Sequence, residues 1–339
     1  MKYPKALITL VAIVLFAGAA GIAISYWSLS PRNAAADSDL FTVSKGETAR
    51  AIVNGLEGRG FIRSGTAAYV VVRLRGISLR AGTYRLSPSW GTMKILSLIA
   101  SGKEETRRVT IPEGLSISKT ARHLEAEGIV SAEAFAAAAR KPGVLAPYGI
   151  EEGTAEGFLF PDTYFFPYGI TADDLVDMMV STFFSRLKSI PGAPSEPAKI
   201  RSAVILASVV EREYQVPEEA PLIASVFANR LKIGMGLQSC ATIEYIITEI
   251  QGKPHPYRLL DSDLTIPSDY NTYLWAGLIP GPICSPGLVS LKAAFTPADT
   301  DYLYFRLVDP EAGTHAFTRS LDEHVKAGRQ LVLKRDASR

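Results

Sequence analysis

Ala203-Val204-Ile205-Leu206-Ala207-Ser208-Val209-Val210-Glu211-Arg212-Glu213 is a nearly unbroken apolar run that ends on a carboxylate. A helix that is apolar on every side has no face to give to water and must be enclosed by other elements. The stretch therefore predicts a buried helix inside a larger domain. A glutamate arriving from such a helix is poorly solvated, and desolvation raises a carboxyl pKa toward neutrality. A carboxylic acid still protonated near neutral pH is what protonation of a glycosidic oxygen requires. The same pattern also describes a plain helix end that reaches water or pairs with Arg212, so the flanking residues have to decide.

Downstream, Pro217 breaks the chain, and residues 220–232 predict a second helix with Ile223, Val226, Phe227 and Leu231 on its apolar face. Asn229-Arg230 lie near its end and Gly234 just beyond. Three segments rich in amide, hydroxyl and glycine follow: residues 236–242, 270–273 and 277–287. These groups hydrogen-bond sugar hydroxyls and acetamido groups. Turn chemistry alone explains the glycines and prolines, and it explains Gln238, Asn271 and the paired tyrosines less well. Gln238, Thr242, Asn229, Tyr270, Asn271 and Tyr273 are accordingly the candidate substrate contacts, with Glu211 as the candidate acid.

Upstream, one unit occurs twice. Phe41 to Thr48 leads into a helical pattern through Ile52, Val53 and Leu56 and stops at Gly60-Phe61-Ile62; Val109 to Ser116 leads into another through Thr120, Ala121 and Leu124 and stops at Gly128-Ile129-Val130. Gly46 and Gly114, Leu56 and Leu124, and Gly60 and Gly128 share one offset, which marks an internal repeat. The first copy continues with a helix over 67–74, a strand over 82–86 and a helix over 93–100. That economy suits a small LysM-like module, and equally a generic α+β subdomain without a ligand. The second copy runs into a helix over 132–140. Beyond it, Glu156 to Phe166 is dense in aromatics, which are usually core but also suit the wall of a sugar groove. An amphipathic helix over 173–187 and a Pro-rich linker over 191–197 lead back to the buried helix.

At the N-terminus, Ala6 to Leu29 carries no charge and follows Lys2 and Lys5. About 20 apolar residues span a bilayer core as a helix. Tyr26 and Trp27 suit the interface, and the preceding lysines place the N-terminus in the cytoplasm. Ala17-Gly18-Ala19-Ala20-Gly21 offers a signal-peptidase site as the rival reading, but the apolar stretch runs on past it, so an uncleaved anchor is expected. Net charge is +2 over 339 residues, and no basic run, P-loop or GxGxxG accompanies it; nucleic acid and nucleotide chemistry have no support. Two cysteines, Cys240 and Cys284, make no framework, and the four histidines lack ligand spacing. No metal and no cofactor is expected.

The chain resembles the MltG (YceG-like) endolytic murein transglycosylases. The resemblance rests on Glu156-Gly-Phe-Leu-Phe-Pro-Asp-Thr-Tyr164, Leu206-Ala-Ser-Val-Val-Glu-Arg-Glu213 and Val226-Phe-Ala-Asn-Arg-Leu-Lys-Ile-Gly-Met-Gly-Leu-Gln238. It continues in Tyr270-Asn-Thr-Tyr273, Gly277-Leu-Ile-Pro-Gly-Pro-Ile283, Pro286-Gly287 with Ser290-Leu-Lys-Ala293, and Tyr302-Leu-Tyr-Phe305. It implies that Glu211 is the catalytic glutamate and that the chain has an inner-membrane anchor and a LysM-like module. It also implies cleavage of MurNAc–GlcNAc bonds within nascent glycan strands. The implied partners are peptidoglycan glycan strands, the membrane and a peptidoglycan synthase. Two departures stand out. Leu-Gln-Ser/Thr-Asp-Pro-Thr of the family is here Leu237-Gln238-Ser239-Cys240-Ala241-Thr242, which loses an acid, and Ile-Ala-Asn-Pro-Gly is here Ile283-Cys284-Ser285-Pro286-Gly287. Both cysteines are therefore expected close together beside the Glu211 cleft.

Glu213 lies about 200° round a helix from Glu211 and cannot share its face. A one-carboxylate scheme, in which the MurNAc C6 hydroxyl closes a 1,6-anhydro ring, is what the resemblance implies; the spacing is compatible with it. A peptidoglycan-binding scaffold, or a hydrolase with Glu218 or Asp269 as second carboxylate, remains open. The expected fold is α+β: a cytoplasmic tail (1–5), a transmembrane helix (6–29), a linker (30–40), a LysM-like module (41–108) and a catalytic domain (109–335) with the second repeat unit at 109–140.

Overall fold

The charge-free N-terminal stretch forms one helix, α1 (Lys5–Leu29), in the computed structural model, which describes residues 5–33, 35–150 and 153–328. Thr9–Leu29 is long and apolar enough to cross a membrane, and Leu10, Val14, Phe16 and Ile22 on it are exposed. The tail expected at 1–5 lies outside the described residues apart from Lys5, as do the last residues of the stretch expected to reach 335.

The chain divides into two compact units, Met1–Arg107 with Phe165–Gly169, and Arg108–Tyr164 with Ile170–Arg339. The first holds β1 (Asp39–Val43), α2 (Ala49–Gly58), α3 (Gly65–Arg75), β2 (Gly82–Leu86) and α4 (Thr92–Ser101). β1 and β2 pair antiparallel with Phe41 opposite Tyr84. Strand alternation turns Phe41 and Val43 inward, where they join Ile52, Val53 and Leu56 of α2 and Ile95, Leu96 and Ile99 of α4 in one core. The polar segment read as a linker is tied down instead. The Arg32 and Asn33 N–H groups donate to the Pro88 carbonyl at 3.0 and 3.1 Å, Arg32 Nη1 donates to Glu57 O at 2.8 Å, and β1 already begins at Asp39.

After β3 (Thr106–Thr110) come α5 (Ile117–Ala126), α6 (Ala132–Ala138), α7 (Pro142–Leu145), β4 (Thr163–Pro167), α8 (Ala172–Lys188), α9 (Pro197–Val210), α10 (Ala220–Lys232), α11 (Cys240–Tyr245), α12 (Leu288–Phe295), β5 (Tyr304–Asp309) and β6 (Thr314–Thr318). β3 and β4 form a second two-stranded sheet, and β5 and β6 an antiparallel third with Phe305 opposite Phe317. The fold is mixed α+β.

The stretch that opened the analysis is α9. It packs on α10 and α12, and Val204, Ala207, Ser208, Val209 and Val210 are fully buried. Burying one such aliphatic side chain is worth about 1.5–3 kcal/mol, so α9 organises the second unit. Arg230 of α10 is enclosed as well; its Nε donates to Leu303 O at 2.7 Å and its Nη1 to Leu237 O at 2.6 Å, which fixes two loops to the helix. Most of the aromatic segment is core, while Phe165 is exposed. Phe158, Phe160, Tyr164 and Phe166 are buried, and the Tyr164 hydroxyl donates to Phe160 O at 2.7 Å.

Candidate active site

Glu211 is the residue on which α9 ends, and the site is assembled from segments that meet there. Its Oε2 accepts the Gly287 N–H at 3.0 Å and the Ser290 hydroxyl at 2.6 Å. Gly287 caps α12 and Ser290 lies in its first turn, so the carboxylate faces the positive end of that helix. The segment 283–287 is held against α9: Ile283 N–H donates to Ser208 Oγ at 3.0 Å and the Cys284 thiol to Ser208 O at 3.3 Å. Among the described residues Glu211 Oε1 accepts no hydrogen bond, so one oxygen is anchored and the other is open. Burial pushes the Glu211 carboxyl up to about 7, assisted by the nearby Glu113 charge and opposed by Ser290, Gly287 and Arg212.

The second repeat unit supplies another wall. Gly114 N–H donates to Ser285 O at 2.9 Å and Ser285 N–H to Leu115 O at 2.8 Å. Gly114 turns with φ 74°, and a Cβ on it would sit 3.7 Å from Glu211 Cγ. Glu113 lies so close to Gly287 that a Cβ there would be 2.0 Å from Glu113 Oε1. Tyr214 is in the same cluster. Its phenol is pushed up to about 12 by burial and then by the Glu211 and Glu113 charges. Glu113, Gly287, Ser290 and Tyr214 did not figure among the candidate site residues; the glycine at each close approach was the available signal. A larger cavity of about 780 Å³, lined by Tyr148, Phe158, Phe184, Ile190 and Arg201, lies elsewhere in the unit. Among the described residues its lining contains no carboxylate.

The six expected sugar contacts separate into two groups. Asn229 gives its amide hydrogens to Thr300 O (2.8 Å) and Tyr302 O (3.0 Å), and Asn271 gives its own to Leu264 O (3.0 Å) and Ile266 O (2.8 Å). Thr242 is fully buried and bonds Ser239 O and Thr272 Oγ1. Long irregular segments leave backbone carbonyls that need donors, and these side chains meet that need. Gln238, Tyr270 and Tyr273 retain exposed or half-buried side chains. Gln238 has φ 51°, the one positive value outside glycine among the described residues.

Glu213 is enclosed, accepts the Ser239 hydroxyl at 2.5 Å and is pushed up to about 7 by burial. It serves the 239 loop, away from Glu211's partners, as the helical spacing requires. The charged groups acting on Glu211 are Glu113 and Arg212; Glu218 and Asp269, the carboxylates weighed for a hydrolase, are exposed and not among them. Cys240 and Cys284 are unbonded. Ala241 and Ile283, their chain neighbours, line one small cavity with Gly114 and Arg212, so the two loops converge. The thiols have different partners: Cys240 Sγ lies 3.1 Å from the Tyr273 hydroxyl, and burial pushes the Cys284 thiol well up.

The YceG-like family model matches residues 41–330. An endolytic murein transglycosylase of Bacillus subtilis (strain 168) is 30% identical over 312 residues, covering 87% of this chain and 85% of that protein. One of Streptococcus pneumoniae serotype 2 (strain D39) is 28% identical over 316 residues, covering 83% of this chain; the chain spans 56% of that longer relative. A 2.6 Å crystal structure of a yceG-like protein from Listeria monocytogenes superimposes with a TM-score of 0.55 at 26% identity, covering 86% of this chain and 99% of that one.

Proposed function

Because this chain belongs to the YceG-like family, we propose that it is a murein transglycosylase that cuts glycan strands internally, with Glu211 as its acid and base. The observation that carries the reading is the Glu211 carboxyl itself, half-buried, anchored by one oxygen and pushed up to about 7. A group poised near neutral pH both gives and takes a proton readily. Protonated Glu211 gives its proton to the oxygen leaving the MurNAc anomeric carbon. The carboxylate that remains is stabilised by the Gly287 N–H, the Ser290 hydroxyl and the start of α12. It then takes the proton of the MurNAc C6 hydroxyl as that oxygen closes onto the anomeric carbon. The product carries a 1,6-anhydro ring, and no water is consumed.

Exposed Gln238, with its strained backbone, and Tyr270 and Tyr273 are the side chains we assign to sugar contacts. α1 serves as a single-pass anchor with its N-terminus in the cytoplasm, which holds the catalytic unit on the far side of the membrane. There it meets nascent strands as a synthase extends them, and the first copy of the repeat supplies a LysM-like glycan contact. Mass spectrometry of the products from purified peptidoglycan tests the chemistry. Anhydro ends are expected. Reducing ends, heavier by one water, would replace this reading with hydrolysis, and glycan binding without products would replace it with a scaffold.

A further inference from the structure

Two carboxylates meet at the start of α12, and the chemistry above uses one. Glu113 is exposed and lies against Gly287, where a Cβ would be 2.0 Å from its Oε1 and 2.1 Å from its Cδ. The Gly287 N–H donates to Glu211 Oε2 at 3.0 Å. Allowing about 2.5 Å between the backbone N and a Cβ, the two carboxylates stand within about 7.5 Å of each other. The loop carrying Glu113 is held by its backbone. The Gly114–Ser285 and Ser285–Leu115 hydrogen bonds fix it and Gly114 supplies its left-handed turn, while the Glu113 carboxyl is the end of an exposed side chain that lies where a Cβ at 287 would sit. Among the described residues Glu113 belongs to no ion pair, whereas Arg212, the cation facing the same site, is paired with Glu244 at 3.1 Å.

We propose that Glu113 is a positioning residue of the reaction, an anion fixed beside Glu211 whose charge disfavours a second negative charge there. The proposal rests on the reading of Glu211 as the acid. No proton passes to Glu113. The proton that Glu211 gives to the departing oxygen is replaced by the one it takes from the C6 hydroxyl, so the proton count closes on Glu211 alone. Glu113 biases the start of that cycle toward the protonated acid, and its charge favours the positive character that develops at the anomeric carbon. The other titratable groups facing Glu211 are Arg212, which opposes this bias, the Tyr214 phenol and the buried Cys284 thiol, both neutral near pH 7.

The test is the pH profile of anhydro-product formation by the full chain on purified glycan strands, for the wild type, Glu113→Gln and Glu113→Asp. Activity requires protonated Glu211, so it falls along an alkaline limb. Glu113→Gln is expected to move that limb down by about half a unit to one and a half units, with anhydro ends still the product and Glu113→Asp restoring most of the shift. Because Glu113 is exposed, raising the salt should screen its charge and move the wild-type limb down as well, a measurement that does not depend on any variant folding. A uniform loss of rate with the limb unmoved in Glu113→Gln, and a wild-type limb indifferent to salt, would overturn the proposal. Reducing ends from the wild type that vanish in Glu113→Gln would overturn it in favour of a water-activating base. A wild type that makes no anhydro product removes the reading of Glu211 first; anhydro product with an unmoved limb removes Glu113 alone.

Discussion

Gly46 and Gly114 both turn the chain through positive φ, 80° and 74°, and each leads into a helix of ten residues capped by a hydroxyl, Thr48 on the Ala51 N–H and Ser116 on the Lys119 N–H. The two helices close alike. Arg59 N–H returns to Gly55 O and Glu127 N–H to His123 O, followed by Phe61 to Leu56 and Ile129 to Leu124. Around Gly46 there is open space within 4 Å, Lys45 is exposed, and the Ser44 N–H bonds Glu47 of the same loop. Around Gly114 the neighbours are Glu211 and Arg212, and Glu113 stands where the first copy has Lys45. The repeated sequence therefore dictates a local loop and helix, and at the second copy a distant segment, 283–287, docks against that loop beside Glu211.

The sharpest way to break that contrast is at the acid. Glu211→Gln is expected to lower turnover by at least about 10²–10⁴-fold, since an amide has no proton to give, while its carbonyl still accepts from Gly287 and Ser290. Lys45→Gln in the sister loop should leave turnover within about twofold, as an exposed charge with no ion pair among the described residues contributes little. Near-normal anhydro product from Glu211→Gln would sink the assignment.

The next effect in size is on stability. Glu156 accepts the Ile117 N–H at the start of α5, at 3.2 and 3.1 Å, and burial pushes it up to about 8. Its unfolded pKa is the ordinary carboxyl value of 4.5. Between those two values the native state holds a proton that the unfolded state has released. The stabilising contribution is complete below about pH 4.5 and is lost as pH rises to about 8, on the order of 3–5 kcal/mol from this group. Glu211 and Glu213, both raised to about 7, add in the same direction. Denaturant titrations across pH 4–9 should show the second unit weakening toward alkaline pH, with Glu156→Gln flattening the trend. A slope unchanged by that substitution would show that Glu156 is already ionised in the native state.

Local pattern made much of this readable. α10 spans the residues its periodicity marks, and α3, α4 and α8 differ by a residue or two at their ends, because caps and apolar spacing are written within a single turn. α12 and the β5–β6 hairpin were not marked as elements, and the meeting of Glu113 with Gly287 left a lone glycine as its trace. Asn229, Asn271 and Thr242 show what a local reading leaves out. Their amides and hydroxyl read as sugar contacts, and in the fold they bond backbone carbonyls of Thr300, Tyr302, Leu264, Ile266 and Ser239. The poor solvation of the Glu211 carboxyl was legible because burial and acidity conflict within one helix.

A smaller effect distinguishes the two glycines. Replacing either Gly46 or Gly114 by valine forces a β-branched residue into the left-handed region, which costs about 1–2 kcal/mol. Both variants should lose stability to a similar degree in denaturant titrations. Only at 114 do the added methyl groups press on Glu211 and Arg212, and a displaced acid loses rate steeply, so Gly114→Val should also lose about 10- to 100-fold in turnover. Equal rates for the two variants would mean that the approach of Gly114 to the acid is incidental.

The finest comparison is between the caps. Thr48 and Ser116 each accept one N–H of the first helical turn, at 3.2 and 3.3 Å. Removing such a cap costs about 1 kcal/mol whatever the helix does for the protein. Thr48→Ala and Ser116→Ala should therefore lower stability by nearly the same small amount, read as parallel shifts in denaturation midpoint. Their rates should part. Ser116 follows directly on the loop that Ser285 holds, and it lines the small cavity together with Gly114 and Arg212. Loosening α5 at its first turn releases Glu113 from Gly287, and Ser116→Ala should lose severalfold in turnover. Thr48 caps α2, whose Ile52, Val53 and Leu56 pack in the core of the first unit, so Thr48→Ala should turn over as the wild type does. A matching loss in both would mean that the first copy also bears on catalysis, and that the division of labour between the copies is not one of docking.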